Sequence, residues 1–188
     1  MNRIVVIGVT GSGKTTFAGH LAWLLDTPHI EMDALHWNPD WQESSREDFV
    51  KKVEAATGGQ AWVMDGNYTS KVAHIVWARA DTIIWLDYSF RVTLSRLVVR
   101  TIRRVLLGEE CCNGNRETLK KALSKDSIIL WAFKSYWRRQ RDFPKKLSDP
   151  AYGHLLSVRL RSPKETAAWL EQVKHNRTAN LSALKLES

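Results

Sequence analysis

Gly8–Thr15 reads GVTGSGKT and satisfies the pattern G-x-x-x-x-G-K-[ST] in full, with a further glycine at position 11. The residue types follow from one chemical task. Glycines let the backbone curl so that successive N–H groups point at a phosphate, and a helix starting just beyond adds the positive end of its dipole. A lysine at the seventh position reaches the β- and γ-oxygens, and the hydroxyl after it ligates Mg²⁺. Gly8, Thr10, Gly11, Ser12, Gly13, Lys14, Thr15 and Thr16 are therefore expected to surround a nucleoside triphosphate, with Thr15 on the metal.

The flanks agree. Arg3–Gly8 (RIVVIG) is a β-branched run suited to a buried strand. From Lys14 the pattern turns helical, with Phe17, Leu21, Leu24 and Leu25 on one face up to Leu25. Further strands are expected at His29–Asp33, Ala61–Asp65 (AWVMD), Thr82–Asp87 (TIIWLD) and Leu155–Leu160. Helices are expected between them: from a capping box at Ser44 and Glu47 to about Thr57, between the third and fourth strands, over Phe90–Leu107, and over Ser127–Arg141. In the Phe90–Leu107 helix Leu94, Leu97, Val98, Ile102, Val105 and Leu106 form an apolar face, and Gly108 is placed to end it. Ser162-Pro163-Lys164-Glu165 opens a last helix ending near His175. Strands alternating with helices imply an α/β fold: a five-stranded parallel sheet with helices on both faces, three layers in all. Residues 1–175 read as one domain and 176–188 as a flexible tail.

Composition excludes several classes. No run approaches the roughly 18 apolar residues of a membrane span, no leader pattern stands at the N-terminus, and the two cysteines, Cys111 and Cys112, are adjacent. A cytoplasmic protein without membrane attachment is the expectation. The net charge of +8 is concentrated: residues 88–146 hold 15 Lys/Arg against 5 Asp/Glu, while residues 1–87 hold 7 against 11. The basic segment wants polyanions, whether nucleotide phosphates or nucleic acid.

Asp33, Asp65 and Asp87 stand at expected C-terminal strand ends, where ligands of open α/β sheets bind. Asp65 and Asp87 both follow apolar strands as a metal-supporting carboxylate must. Asp65 is taken for the metal shell, Asp33 for the phosphoryl acceptor, and Asp87 as structural. His36 is a weaker site candidate. Arg96, Arg100, Arg103 and Arg104 recur along one helix opposite its apolar face, and Arg138, Arg139 and Arg141 offer a second set. Trp23, Trp62, Trp85 and Trp169 fit the core. Trp37 and Trp41, after Asp33, suit either stacking on a substrate ring or a hydrophobic cover.

Residues 62–68 (WVMDGNY) resemble the strand-Asp-Gly segment of adenylate kinases, and ARADTIIWLD (78–87) is similar to nucleoside-monophosphate kinases. Arg96 and Arg100 lie nine and thirteen residues beyond Asp87, the spacing at which adenylate kinases place their first lid arginines. The phosphate loop, MDALHW (32–37) and DGNY (65–68) together resemble the adenylate-kinase-related bacterial topology modulation proteins, over about residues 1–175. Adenylate kinases continue Asp-Gly with proline and arginine, where this chain has Asn67 and Tyr68. MDALHW is instead similar to the strand-end aspartate of gluconate and shikimate kinases, which faces a substrate hydroxyl.

The resemblance implies ATP and Mg²⁺ as cofactors and a helical, arginine-bearing lid over about residues 96–141; Gly114–Lys125, the least organised stretch of the chain, is a candidate mobile lid. It implies Lys14, Arg96, Arg100, Asp33 and Asp65 as catalytic residues, and Arg161 in the loop that wraps the adenine. The expected activity is phosphoryl transfer from ATP to a nucleotide or other small acceptor. The alternative is an NTP-switched nucleic-acid-binding regulator, which the basic segment motivates but the kinase-like arginine spacing disfavours. A GTPase switch ranks last, since no Asn-Lys-x-Asp segment is present.

Overall fold

The structure is a computed structural model that describes residues 1–68, 71–116 and 128–186, with side chains described for all of these but 128–130 and 178–186. Five parallel strands carry the fold: β1 (Arg3–Gly8), β2 (His29–Glu31), β3 (Trp62–Asp65), β4 (Thr82–Leu86) and β7 (Leu156–Leu160), in the order β2-β3-β1-β4-β7. Chain direction across the sheet reverses at β1, which pairs Val6 with Asp65 on one side and Gly8 with Leu86 on the other. The phosphate loop therefore leaves β1 at the switch point, where a crevice opens beyond the strand ends.

Period-two alternation builds the three layers. Val5, Ile7, Met64, Ile83 and Trp85 face a core completed by helices α3 (Arg46–Ala56), α4 (Ala73–Arg79) and α6 (Ile128–Leu147), through Phe49, Val76, Trp77 and Phe143. Ile4, Val6, Val63, Ile84 and Leu86 face the other way, against α1 (Lys14–Leu25) and α7 (Pro163–Leu186), through Phe17, Leu21, Leu170 and Val173. The expected α/β fold, a five-stranded parallel sheet covered on both faces, is the observed one.

Several local readings change. The second strand ends at Glu31, and Met32–His36 forms a short helix, α2, so Asp33 sits in a helical first turn. The cap of α3 is Ser45, whose hydroxyl accepts the Asp48 N–H at 3.1 Å. Ser44 is drawn away because its hydroxyl donates to the Leu35 carbonyl. In α5 (Phe90–Leu107) the buried stripe is Thr93, Leu97 and Thr101, while Ile102 and Leu106 are 53% and 77% exposed. That stripe lies against the phosphate loop: a Cβ on Gly11, whose φ is +85°, would strike the Thr93 carbonyl. Gly108 ends α5 in the left-handed conformation, as expected.

Helix α6 runs to Leu147 rather than Arg141, and α7 runs to Leu186 rather than stopping near His175, so residues 176–186 of the expected tail are helical. Between α5 and α6 the chain forms a hairpin, β5 (Glu110–Cys111) with β6 (Asn115–Arg116). This takes in the first residues of the expected mobile stretch Gly114–Lys125, whose remainder, 117–125, lies outside the described residues. Trp62 and Trp85 are in the core, but Trp23 is 74% exposed on α1. The contrast is measurable by chemical denaturation: Trp62→Ala is expected to cost about 3–5 kcal/mol, and Trp23→Ala to stay within about 0.5 kcal/mol of wild type.

Candidate active site

The cradle is braced from the neighbouring strand. The Asn67 carboxamide closes on the Gly8 peptide: its oxygen accepts the Gly8 N–H at 3.2 Å and its nitrogen donates to the Gly8 carbonyl. Each of the four DGNY residues has a separate part in the site. Asp65, buried at the end of β3, accepts the Thr15 hydroxyl on one oxygen at 3.1 Å and meets His29 Nε2 with the other at 2.9 Å. Gly66, at φ +145°, passes so close to α2 that a Cβ would lie 2.6 Å from the Met32 Cβ. Tyr68 donates its hydroxyl to Asp33 Oδ1 at 2.6 Å.

Lys14 Nζ folds back onto the Val9 carbonyl at 3.2 Å. Burial pushes its pKa down to about 8, with Arg139 and Arg100 adding to the effect and Asp65 and Asp33 opposing it. An anionic ligand in the cradle would raise that pKa again. The hydrogen bond to Asp65 holds the His29 imidazole above its ordinary pKa. Glu31 pairs in register with Asp65, and burial together with that neighbouring negative charge raises its carboxyl.

The Thr15 hydroxyl and the Asp65 carboxylate are hard oxygen donors placed side by side, which fits a Mg²⁺ ion. No group of three or more His, Cys, Asp or Glu among the described residues could form a metal cage. Mg²⁺ fits that setting, since it is ordinarily held by one or two protein oxygens plus waters and substrate phosphates.

Arginines reach this crevice from two helices. Arg96 Nη1 lies 3.5 Å from the Ser12 carbonyl, and its guanidinium stands over the Tyr88 ring at 5.4 Å. Arg100 is close enough to influence Lys14, and Arg104 influences Glu31. Arg103 turns away and pairs with Glu109 at 2.7 Å. From α6 it is Arg139 that faces the site, while Arg138 and Arg141 are exposed. Burial and then Arg138 push the Arg139 pKa down to about 10, against the opposing charges of Asp33 and Tyr68. Its guanidinium stands near the Trp131 and Phe143 rings, and its Nε is buried without a hydrogen-bond partner.

Other candidates fall elsewhere. Asp87 is structural: Arg159 grips one oxygen at 2.6 and 2.8 Å, and Gln140 donates to the other. His36 is buried among Trp37, Phe49 and Tyr68, with Glu43 at 3.3 Å, so it supports Tyr68 from beneath. Arg161 is exposed after β7, where its backbone N–H donates to Glu165 at 2.7 Å; the described contacts do not join its side chain to the phosphate loop. His29, Glu31 and Asn67 belong to the site though the sequence reading assigned them no role. The signal for Asn67 was the DGNY segment; for Glu31 and His29 it was their place beside Asp33 on one strand.

Neither a protein-family model nor a curated protein sequence matches the chain. The resemblance to topology modulation proteins thus rests on the residues quoted above. Among solved structures the chain is similar to shikimate kinase from Bacteroides thetaiotaomicron, with a TM-score of 0.56 and 12% identity over 94% of this chain and 98% of that one. It is also similar to shikimate kinase from Acinetobacter baumannii in complex with shikimate, with a TM-score of 0.54 and 15% identity over 96% and 94%. A gluconokinase from Sinorhizobium meliloti aligns at a TM-score of 0.47 and 19% identity over 95% and 97%. At 12% and 15% identity the likeness to the two shikimate kinases shows the fold alone.

Two substitutions probe the brace. Gly66→Ala is expected to lose about 2–4 kcal/mol of stability in urea denaturation, through its φ and the contact with Met32. Asn67→Ala is expected to weaken binding of a fluorescent ATP analogue by roughly tenfold, the worth of one or two hydrogen bonds, with the far-UV circular dichroism unchanged.

Proposed function

We propose that this chain is an ATP- and Mg²⁺-dependent phosphotransferase that moves the γ-phosphoryl group to a hydroxyl of a small acceptor carrying an anionic group. The observation that carries the reading is Asp33. Its carboxylate is exposed, is oriented by the Tyr68 hydroxyl at 2.6 Å, and is near enough to the cradle to act on the charge of Lys14. Asp65 is already engaged with Thr15 and His29, so the two aspartates divide the work. Asp65 and Thr15 serve the metal, and Asp33 serves the acceptor.

In this mechanism the backbone of residues 8–13 and the Lys14 ammonium hold the β- and γ-phosphates. Thr15 and Asp65 would hold Mg²⁺, which would supply positive charge against the triphosphate. Asp33 accepts the proton of the attacking hydroxyl while Tyr68 fixes the orientation of its carboxylate. Arg96 and Arg100 stabilise the charge that develops on the transferring group. Arg139, a cation with a buried Nε and within electrostatic reach of Asp33, is suited to an anionic substituent on the acceptor.

The contact of Arg96 with the phosphate loop and the partial burial of Arg100 and Arg139 support a kinase over a nucleic-acid-binding switch, for which cations need to line an outer face. Transfer of labelled γ-phosphoryl from ATP to a panel of hydroxy acids, sugar acids, polyols and nucleoside monophosphates tests the reading. Asp33→Asn is expected to lower kcat by about 10²–10⁴-fold with ATP affinity retained. Arg139→Met is expected to raise KM for anionic acceptors alone. Slow ATP hydrolysis with no labelled acceptor across the panel would overturn the proposal.

A further inference from the structure

The β5–β6 hairpin touches the acceptor side of the crevice through two asparagines. Asn113 Nδ2 donates to the Ala34 carbonyl at 2.7 Å and the Trp37 carbonyl at 2.6 Å. These carbonyls lie at the C-terminal end of α2, where a helix leaves its last C=O groups without partners of its own. The Leu35 and His36 carbonyls between them are taken by the Ser44 hydroxyl and N–H. The helix bearing Asp33 is thus capped from a segment nearly eighty residues away in the chain.

Asn115, 4% exposed, completes the contact. Its oxygen accepts the Trp41 N–H at 2.7 Å. Its nitrogen donates to the Asn38 carbonyl at 2.9 Å and to the Cys112 carbonyl at 2.6 Å, so one side chain shapes the hairpin turn and grips the loop after α2. The Trp41 indole N–H returns a bond to the Arg116 carbonyl at 3.2 Å.

The backbone on both sides of this contact is strained. Five non-glycine residues of the described chain have positive φ. One, Asp26, is the C-cap of α1. The other four are Asp40, Trp41, Cys112 and Asn113, at +59°, +57°, +41° and +62°, and all lie where the loop and the hairpin meet. Such conformations disfavour Trp and Cys and persist where surrounding contacts over-determine them. The hairpin is also near the acceptor carboxylate: after the bond to Cys111 and burial, the charge of Asp33 is what holds the Cys112 thiol above its ordinary pKa.

We propose that Asn113 and Asn115 are positioning residues that hold α2 and the loop after it from the hairpin, and thereby set the Asp33 carboxylate on the acceptor side of the site. This rests on the phosphotransferase reading for its catalytic consequence, but not for the latch itself.

Hydrogen–deuterium exchange of the full chain reads the latch directly. In Asn113→Ala the amides of residues 33–43 are expected to exchange about 3–10-fold faster, as loss of one or two hydrogen bonds requires, while those of 4–8 and 62–66 stay unchanged. Asn113→Asp, which keeps the shape and loses the donors, is expected to match it. Asn115→Ala is expected to act more strongly. Should that buried site fail to fold, the exposed Asn113 pair decides. Unchanged exchange over 33–43 overturns the latch.

With an acceptor found in the panel above, the same variants are expected to raise acceptor KM by about 3–10-fold, with KM for ATP within about twofold. Equal changes in both constants, or none, overturn the positioning role. If the panel yields no acceptor, the phosphotransferase reading falls, and exchange over 33–43 still decides whether the hairpin holds α2.

Discussion

The Gly8 peptide is where the sheet becomes a binding site, and the Asn67 carboxamide holds it on both its N–H and its C=O. A strand end facing a crevice exposes backbone groups that a glycine turn leaves free to wander. Fixing the two peptide groups that flank Gly8 holds the start of the phosphate loop. The residues around Asn67 extend the same constraint outward. Asp65 ties the base of α1 through Thr15, Gly66 allows α2 to close onto β3, and Tyr68 aims Asp33. The phosphate loop and Asp33 are therefore registered to each other through four consecutive residues at the end of one strand.

The charges in this crevice are arranged to be incomplete. Burial and then Arg139 and Arg100 press the Lys14 ammonium toward neutrality, and Asp65 and Asp33 offset only part of that. Three cations converging on a partly dehydrated space favour a ligand that brings several negative charges together, and a metal-bound triphosphate does so. Glu31 and Asp65 side by side at adjacent strand ends show the reverse tension, two carboxylates that a divalent cation would relieve. Both tensions resolve with the same ligand.

How far the sequence could be read follows from the range of each interaction. The phosphate loop was legible because all of its chemistry lies within eight consecutive residues, and the strands because their burial repeats every second residue. DGNY stood out as a segment, yet the partners of Asn67 and Tyr68 are 59 and 35 residues away, so their roles were not legible. Periodicity correctly made Phe90–Leu107 a helix. It could not show that the buried stripe would be Thr93, Leu97 and Thr101, since that depends on the bare Gly11 backbone pressing against them. Trp23 follows the same rule: its hydrophobicity is local, whereas its 74% exposure on α1 is a property of the fold. Asp33 entered the site from the first turn of a helix because Gly66 lets α2 pack where the strand would have continued.

The choice among Arg138, Arg139 and Arg141 was open to the sequence for a related reason, and two hydrogen bonds decide it. Gln140 donates to Asp87, which Arg159 holds from β7, and the Tyr136 hydroxyl donates to the Tyr88 carbonyl at 3.1 Å. Residues 136 and 140 are one turn apart, so together they fix the rotation of α6 about its axis. Each step along a helix turns about 100°. With 136 and 140 directed at the sheet edge, Arg139 and Phe143 stay on the inner side, while Arg138 and Arg141 swing out to solvent. Asp87, a strand-end aspartate held by Arg159 and Gln140, thus helps set which arginine of α6 faces the crevice.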